Sequence, residues 1–427
     1  MRNSLKFILM AILLVMCMDR SRHIISTHFV KESQLTWSDA EGYYMYLPAI
    51  FIYQNFVDIP IRSTSQFHRI ESTGAYFDKY TFGVAFMQIP FWLVADIYAK
   101  NSSHPRDGYS RPYQLSIFFA SFFYTLAGLF IMFRLLRRKY DLILSLLVTV
   151  CIFFGTNLMY YSTVEAGMAH SFSCFLVTML VALTPGFYRK KSIKRLFLLA
   201  VVVSLMVFTR PTNAIAVLYL LLYGVHDRND LFDRLKYGFA HILRYIFLAV
   251  PFVIFGAVQV LLWKEMRGGE VVLYSYDAEP GLIYWSNPKF WKVLFSVQNG
   301  LFIYAPILLF SFIGIVIGAK KKEPNFRLML GILVLYSYVF ASWWAWWFGG
   351  AYGHRCYVDL LIFFAFPMAC FLDSALRFKK KIVLTITWML IFVFVFYSNR
   401  MTSKYTSPWD GPDWNWETWL EVIKNNI

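Results

Sequence analysis

Charged residues are scarce in this chain, and their scarcity excludes a soluble protein. They make up 15% of the 427 residues, whereas hydrophobic residues make up 58%. A soluble protein needs enough polar side chains to wet its surface, and this composition falls short of that. Lipid must therefore be the solvent for most of the chain, which predicts a multi-pass integral membrane protein.

Acidic residues are especially few, with 25 Asp and Glu against 41 Lys and Arg, so the formal net charge is +16. In a soluble protein this excess would suggest a nucleic-acid partner, but here the basic residues form short runs between apolar stretches. We therefore expect no nucleic-acid partner. The basic runs indicate instead which side of the membrane each loop faces.

Cysteine is rare, and internal repeats are missing. The five cysteines lie in or beside apolar stretches, without the close pairs or histidine cluster of a zinc site. We therefore assign them to packing. No cleavage site follows the apolar start, so residues 5–19 are predicted to remain as a first span. Without repeats or low-complexity tracts, the chain is predicted to form one membrane domain over residues 1–427.

Apolar stretches that can cross a bilayer are plentiful, since a spanning helix needs about 20 residues. When about 11 spans are placed, every basic run falls on the side of the N-terminus, as the positive-inside rule requires. The predicted fold is thus an all-α bundle with a cytoplasmic N-terminus and an outer C-terminus. The spans lie near residues 5–19, 113–133, 141–161, 171–188, 195–209, 212–226, 245–263, 300–318, 328–343, 356–375 and 382–398.

This topology places three large pieces of chain at the outer face. They are a long, helical first loop over residues 20–112, a third loop over residues 264–299 and an interfacial tail over residues 399–427. Residues 82–98 are apolar enough to span, but a span there would reverse the side of every later basic run. We therefore predict a re-entrant or interfacial segment near 82–98, broken at Pro90.

Two acidic residues precede an aromatic, apolar run in the first loop. Asp39 and Glu41 stand in the sequence Asp39-Ala40-Glu41-Gly42-Tyr43, and acids beside lipid are costly unless they are used. Either carboxylate can act as a general base toward an acceptor hydroxyl that attacks a sugar. The spacing is equally consistent with a helix cap or a solvated loop, so the residues alone leave both readings open.

Three basic residues are candidates for phosphate binding at the outer face. Lys79 opens the segment near 82–98, Arg210 lies at the outer junction of two short spans, and Arg355 follows a turn rich in glycine and tryptophan. Outer arginines run against the positive-inside bias, which favours a functional role. The alternatives are a snorkelling lysine and an aromatic belt at the interface. His170 is a further candidate, although a lone membrane histidine more often serves packing.

Together these features resemble the GT-C superfamily of membrane glycosyltransferases, in particular bacterial members similar to aminoarabinose transferases and protein mannosyltransferases. The resemblance covers the chain in architecture. Its motifs are the acidic first loop, Lys79-Tyr80, Thr209-Arg210-Pro211 and the turn from Gly349-Gly350 to Arg355. In that superfamily an acidic residue of the first outer loop is the catalytic base, which implies Asp39, with Glu41 as the alternative because Ala40 separates the two acids.

The resemblance also implies the substrates and the place of the reaction. A polyprenyl-phosphate sugar is the expected donor, and the sugar is transferred with inversion to a lipid, glycan or protein at the outer face of the bacterial inner membrane. No cofactor or metal ligand is assigned, and a divalent cation is the one candidate. The residues expected to hold the donor phosphate are Lys79, Arg210 and Arg355. Those expected to contact substrates are Tyr43, Tyr80, His170 and His354.

A membrane transporter or a lipid or glycan flippase is the main alternative, because it can also use a broken helix and charges that face a cavity. Such a protein would carry inverted repeats and charges near the middle of its spans, whereas this chain has its notable charges at loop junctions. A ligase or polymerase of lipid-linked glycans is a third reading, against which the early acidic loop argues.

Overall fold

The computed structural model describes residues 35–61, 66–272, 283–377, 381–405, 409, 411 and 413–426. The predicted first span, residues 5–19, and the start of the first outer loop lie outside the described residues. The described chain is mostly helical, as predicted. Its helices are α1 Asp39–Tyr44, α2 Tyr46–Pro48, α3 Gly83–Lys100, α4 Arg111–Leu136, α5 Leu142–Phe154, α6 Leu158–Thr163, α7 His170–Lys190, α8 Ile193–Thr209, α9 Val217–Leu222, α10 Arg228–Ala240, α11 Ile242–Met266, α12 Phe290–Phe295, α13 Leu301–Tyr304, α14 Leu309–Lys320, α15 Phe326–Ser342, α16 Leu361–Leu376, α17 Lys381–Lys404 and α18 Trp416–Asn426.

Five described helices are long and apolar enough to cross a membrane, judged by length and composition. Four shorter apolar helices, of 10–17 residues, coincide with further predicted spans. Pro211 and Pro306 each begin a 3₁₀ turn where a regular span was expected, since proline is tolerated at a helix start but lacks the N–H that a helix interior needs. The prediction of about 11 spans is therefore not confirmed.

Side-chain caps explain where several helices begin. Asp141 accepts a hydrogen bond from the backbone N–H of Leu144 at 2.9 Å and so starts α5 directly after a basic run. Ser192 and Asp227 cap α8 and α10 in the same way. Such caps satisfy N–H groups that a helix leaves unpaired at its start.

The chain folds into two compact units, each assembled from separated stretches of sequence. Of the described residues, the first unit contains those within 34–128 and 165–280, and the second contains those within 129–164 and 281–427. In the first unit α8 packs against α3, α7 and α11. In the second unit α16 packs against α5, α14 and α17.

The prediction of a broken helix near residues 82–98 was wrong. Helix α3 runs without interruption from Gly83 to Lys100, with Pro90 inside it. A proline there removes one main-chain hydrogen bond, but tertiary packing holds the turn that follows. Trp92 is fully buried, and its indole N–H donates to Tyr44 Oη at 2.9 Å. Whether this helix lies at the interface stays a prediction.

The first loop also contains a small sheet, which corrects the all-α expectation. Strand β1, Phe67–Arg69, pairs antiparallel with β2, Tyr76–Asp78, in the register Phe67 to Asp78. The connecting turn contains Gly74 at φ +70°, a backbone conformation that favours glycine. Because β2 ends at Asp78, the sheet sets the position of the residues that follow it, Lys79 and Tyr80.

Candidate functional site

The two acids of the first loop lie on the short helix α1 but differ in accessibility. Asp39 is half-buried, whereas Glu41 is fully buried. The residue before the helix, Ser38, has φ +51°, which is unusual for a residue other than glycine. A base must be reached by its substrate, so the difference in exposure favours Asp39, as the family resemblance did.

Tyr80 contacts Asp39 directly. Its hydroxyl lies 2.7 Å from Asp39 Oδ1 and 3.1 Å from Gln66 Oε1, and the single proton is donated to the closer, carboxylate oxygen. The ring of Tyr43 lies against the Tyr80 ring, with 4.6 Å between centroids. Both tyrosines were predicted to contact substrate, and the structure places them beside the predicted base.

The backbone of Tyr80 is held by two buried side chains. Its N–H donates to Asp78 Oδ1 at 2.9 Å, and its carbonyl oxygen accepts a hydrogen bond from Tyr46. Gly42 leaves room for the ring, since a Cβ at that position would lie 2.2 Å from Tyr80 Cδ2. Larger side chains at position 42 would therefore displace Tyr80 or the helix.

Asp78 is a buried acid that the sequence analysis did not single out. Its side chain is fully buried, and Oδ2 has no hydrogen-bond partner. Burial raises the pKa of Asp78 well above its ordinary value, and the nearby charge of Glu41 adds to the effect; the Tyr80 N–H and the Lys79 ammonium act in the opposite direction. Burial therefore shifts the balance of Asp78 toward its neutral form.

Helix α11 supplies a second set of polar contacts to the same turn. Trp263 donates its indole N–H to the Asp78 carbonyl oxygen at 2.9 Å. Gln259 accepts from the Phe82 N–H at 2.8 Å and donates to Tyr46 Oη at 3.2 Å. Gln259 lies in an otherwise apolar predicted span. This contact could have been anticipated from that position, because polar groups at membrane depth need a partner.

Arg210 and His170 form a pair in the first unit. Arg210 Nη1 lies 3.0 Å from His170 Nδ1, and His170 is 2% exposed. A guanidinium can only donate, so Nδ1 accepts and the imidazole proton of a neutral His170 lies on Nε2. The histidine therefore orients the predicted phosphate-binding arginine, in addition to its predicted contact with substrate.

Two glycine contacts connect Arg210 to the acid. A Cβ on Gly83 would lie 2.3 Å from the Phe208 carbonyl oxygen, so the start of α3 touches the end of α8 just before Arg210. A Cβ on Gly167 would lie 2.7 Å from Ala40 Cβ, so the segment leading to His170 touches α1. The segments that carry the Asp39–Tyr80 pair and the His170–Arg210 pair therefore contact each other at two points.

Lys79 is half-buried, with its ammonium nitrogen 5.3 Å from the centroid of the Tyr80 ring. It therefore lies beside the residue that contacts Asp39. This distance is within the range of a cation–π interaction, in which the ammonium keeps its positive charge. A contact between Lys79 and a donor phosphate stays a prediction.

His354 and Arg355 belong to the second unit. The buried His354 ring is packed among aromatic rings, the nearest that of Tyr357 at 4.8 Å, and Nε2 lies 3.1 Å from the Trp346 carbonyl oxygen. Gly353, at φ +61°, approaches Asn157 so closely that a Cβ would lie 2.3 Å from its amide nitrogen. The turn before Arg355 is therefore closely packed, and the substrate roles of His354 and Arg355 stay predictions.

A groove of about 950 Å³ lies elsewhere in the first unit, between α3 and α4. Its walls are mainly apolar, with His104 and Arg111 as the basic lining residues. None of the predicted site residues lines it. Among the described residues, no three His, Cys, Asp or Glu side chains group together as metal ligands.

Comparison of the sequence with protein-family models and with curated proteins gives no match. Two solved structures of the oligosaccharyltransferase AglB from Archaeoglobus fulgidus are similar to the chain. The apo form has a TM-score of 0.54 and 12% identity, and the match covers 97% of this chain and 59% of that one. The complex with an inhibitory peptide and a dolichol-phosphate has a TM-score of 0.52 and 12% identity over 99% of this chain and 58% of that one.

The chain therefore spans less than two thirds of the length of these proteins. At such low identity the likeness concerns the fold. The predicted closeness to aminoarabinose transferases and protein mannosyltransferases, and the bacterial origin, stay predictions. The resemblance is confirmed at the level of the fold, which is similar to that of the oligosaccharyltransferase AglB.

Proposed function

We propose that this protein is a membrane glycosyltransferase that takes a sugar from a polyprenyl-phosphate donor and transfers it to an acceptor hydroxyl or amide. The similarity to AglB, one structure of which contains a dolichol-phosphate and an inhibitory peptide, supports a lipid-phosphate donor and makes a peptide one class of acceptor. The sugar is a hexose or a pentose, and the reaction inverts the anomeric carbon.

The observation that carries the proposal is the packing of the segments that carry Asp39 and Tyr80 against those that carry His170 and Arg210. An inverting transfer needs a base on the acceptor side of the sugar and a cation on the phosphate side. The contacts of Gly83 and Gly167 support this proposal, because the chain after Tyr80 packs against the end of α8 and the chain before His170 packs against α1. This arrangement suits transfer chemistry better than transport, which needs no base.

In the proposed reaction Asp39 accepts the proton of the acceptor as its oxygen or nitrogen attacks the sugar. The bond between the sugar and the phosphate oxygen breaks, and the phosphate leaves with the bonding electrons. Arg210 stabilises the charge that develops on this oxygen, and His170 holds the guanidinium in place. Lys79 and Arg355 are proposed as further contacts for the phosphate, and Tyr43 and His354 as further contacts for substrate.

The test is a transfer assay on the full chain in lipid nanodiscs. The donors are polyprenyl-phosphate sugars, including mannose and aminoarabinose donors, and release of polyprenyl phosphate is followed by mass spectrometry. Asp39→Asn should abolish turnover while Glu41→Gln retains more of it, because only Asp39 is accessible. Full activity of both variants, or the absence of turnover by the unmodified chain with every donor, would contradict the proposal.

Arg210 provides a second arm of the same experiment. Polyprenyl phosphate is the product common to all these donors, so its binding can be measured without knowing the sugar. Arg210→Gln should weaken this binding, since a charge-assisted contact with phosphate is lost. Arg189→Gln, at an exposed position at the far end of α7 from His170, is the matched control and should bind as tightly as the unmodified chain.

A further inference from the structure

The phenol of Tyr80 is aimed at Asp39 by a frame that leaves it little freedom. Its N–H is bonded to the Asp78 carboxyl at 2.9 Å, its carbonyl oxygen accepts from Tyr46, and its ring fills the space above Gly42. These contacts fix where the hydroxyl lies.

The frame includes a buried polar atom that has no partner. Asp78 Oδ2 makes no hydrogen bond, although the side chain is fully buried. An unsatisfied buried polar atom costs free energy, and an apolar residue of the same size would avoid that cost. What Asp78 contributes in return is its other oxygen, which holds the Tyr80 backbone.

We infer that Tyr80 is a positioning residue for the catalytic base, and that Asp78 holds Tyr80 in place. This inference rests on the proposed function, because it takes Asp39 as the base. The 2.7 Å bond from Tyr80 Oη fixes the rotation of the Asp39 carboxylate, so that it meets the acceptor in one orientation. The phenol keeps its proton throughout, while the proton of the acceptor passes to Asp39.

The bond also favours the charged form of Asp39, since a donor to a carboxylate stabilises its negative charge. Loss of the donor should therefore make the base protonate at higher pH. Other titratable and charged side chains, on α1 and on the elements packed against it, also influence the protonation of Asp39. They are Glu41, Tyr43, Tyr44, Tyr46, Asp78, Lys79, Asp96, Tyr98, Lys100 and Glu165. Asp96 is neutralised within its own cluster by Lys100 and Arg106, each at 2.9 Å.

The experiment compares Tyr80→Phe with the unmodified chain in the nanodisc assay with polyprenyl-phosphate donors. We expect kcat to fall by about 10- to 100-fold, the effect of losing a hydrogen bond to a charged group. KM for the donor should not change, and the acid limb of the kcat/KM profile should move to higher pH. Asp78→Leu, which removes the support for Tyr80, should change kcat in the same direction.

Tyr44→Phe is the matched control for the loss of a buried phenol. Tyr44 lies on α1, the helix that carries Asp39, and its hydroxyl contacts Gly108 and Trp92 rather than Asp39. This variant should lower the melting temperature without moving the acid limb. If Tyr80→Phe does not fold, a fluorotyrosine at position 80 preserves the shape; its more acidic phenol should move the acid limb to lower pH.

The outcomes separate this inference from the proposed function. Full activity of Asp39→Asn would show that Asp39 is not the base, and the inference about Tyr80 would then also be wrong. If Asp39→Asn is inactive but Tyr80→Phe has the kcat and acid limb of the unmodified chain, the assignment of Asp39 as the base is retained. The positioning role of Tyr80 is then wrong. A change in KM alone would assign Tyr80 to substrate binding and would also overturn the inference.

Discussion

At the scale of single residues, Asp39 and Asp78 have the same chemistry but opposite surroundings. Asp39 is half-buried and accepts a hydrogen bond from a phenol, whereas Asp78 is fully buried with one oxygen unpaired. A donor favours the carboxylate, and burial favours the neutral acid. These surroundings agree with the proposed role of Asp39 as a base, whereas burial makes Asp78 harder to ionise.

The raised pKa of Asp78 predicts a pH-dependent stability. The folded chain keeps this proton at pH values where the unfolded chain has released it, so the free energy of unfolding falls as pH rises above the ordinary value of 3.8. Asp78→Asn cannot ionise but keeps a side-chain oxygen, so it should flatten this dependence. The measurement is Tm in detergent from about pH 5 to about pH 8.

Asp58→Asn is the control for that measurement, because Asp58 is an exposed acid in the same loop. It should retain the slope of the unmodified chain. If the Tm of Asp78→Asn falls with pH as steeply as that of the unmodified chain, Asp78 is not the group responsible.

Asp39, Tyr80, His170 and Arg210 were predicted from the sequence. The structure pairs Asp39 with Tyr80 and His170 with Arg210, on segments that pack against each other. They were accessible to sequence reasoning because acids and cations beside apolar runs stand out. Asp78 was not found, since its importance depends on burial that only tertiary packing creates. Their roles in catalysis stay predictions.

At the scale of elements, the site depends on how closely helix ends approach one another. The start of α3 packs on the carbonyl of Phe208, and Gly83 is the residue that permits this approach. The sequence predicted a helix near residues 82–98 from its apolar character. It did not predict the uninterrupted passage through Pro90 or the strands β1 and β2, because both depend on contacts with residues distant in the chain.

This packing predicts a different outcome for two similar substitutions near Phe208. Gly83→Ala would place Cβ 2.3 Å from the backbone oxygen of Phe208, so α3 or the turn before Arg210 must shift. Overpacking of this kind costs about 1–3 kcal/mol. We expect a lower Tm and weaker binding of polyprenyl phosphate, measured on the chain in nanodiscs.

Gly256→Ala is the matched control, since its Cβ would lie 3.6 Å from Phe208 Cζ, an ordinary contact. Alanine also has the higher helix propensity, so this variant should be at least as stable as the unmodified chain. Equal effects of the two substitutions would show that the close approach at Gly83 has no special role.

At the scale of the whole molecule, a mostly helical membrane fold was predictable from the composition and the many apolar stretches. The similarity in fold to the oligosaccharyltransferase AglB agrees with this prediction. The number of spans was less accessible, because prolines such as Pro211 and Pro306 shorten regular helices within apolar stretches. Hydropathy reports the length of an apolar stretch and not the conformation within it.

The sidedness of the loops is the prediction on which the proposed reaction at the outer face depends. It can be tested with single cysteines and a membrane-impermeant maleimide, because the four native cysteines in the described residues are buried. Exposed positions are available in the predicted outer loop at Glu71, in the predicted outer tail at Glu417 and in a predicted cytoplasmic run at Arg138. The unmodified chain measures the background.

Glu71→Cys and Glu417→Cys should react in intact cells, whereas Arg138→Cys should react only after the membrane is made permeable. The physical reason is that basic runs remain on the cytoplasmic side, which fixes the side of every loop between them. Labelling of Arg138→Cys in intact cells would show that the topology is the reverse of the predicted one. It would place Asp39 on the cytoplasmic side and rule out transfer at the outer face, while leaving the contacts within the first unit unchanged.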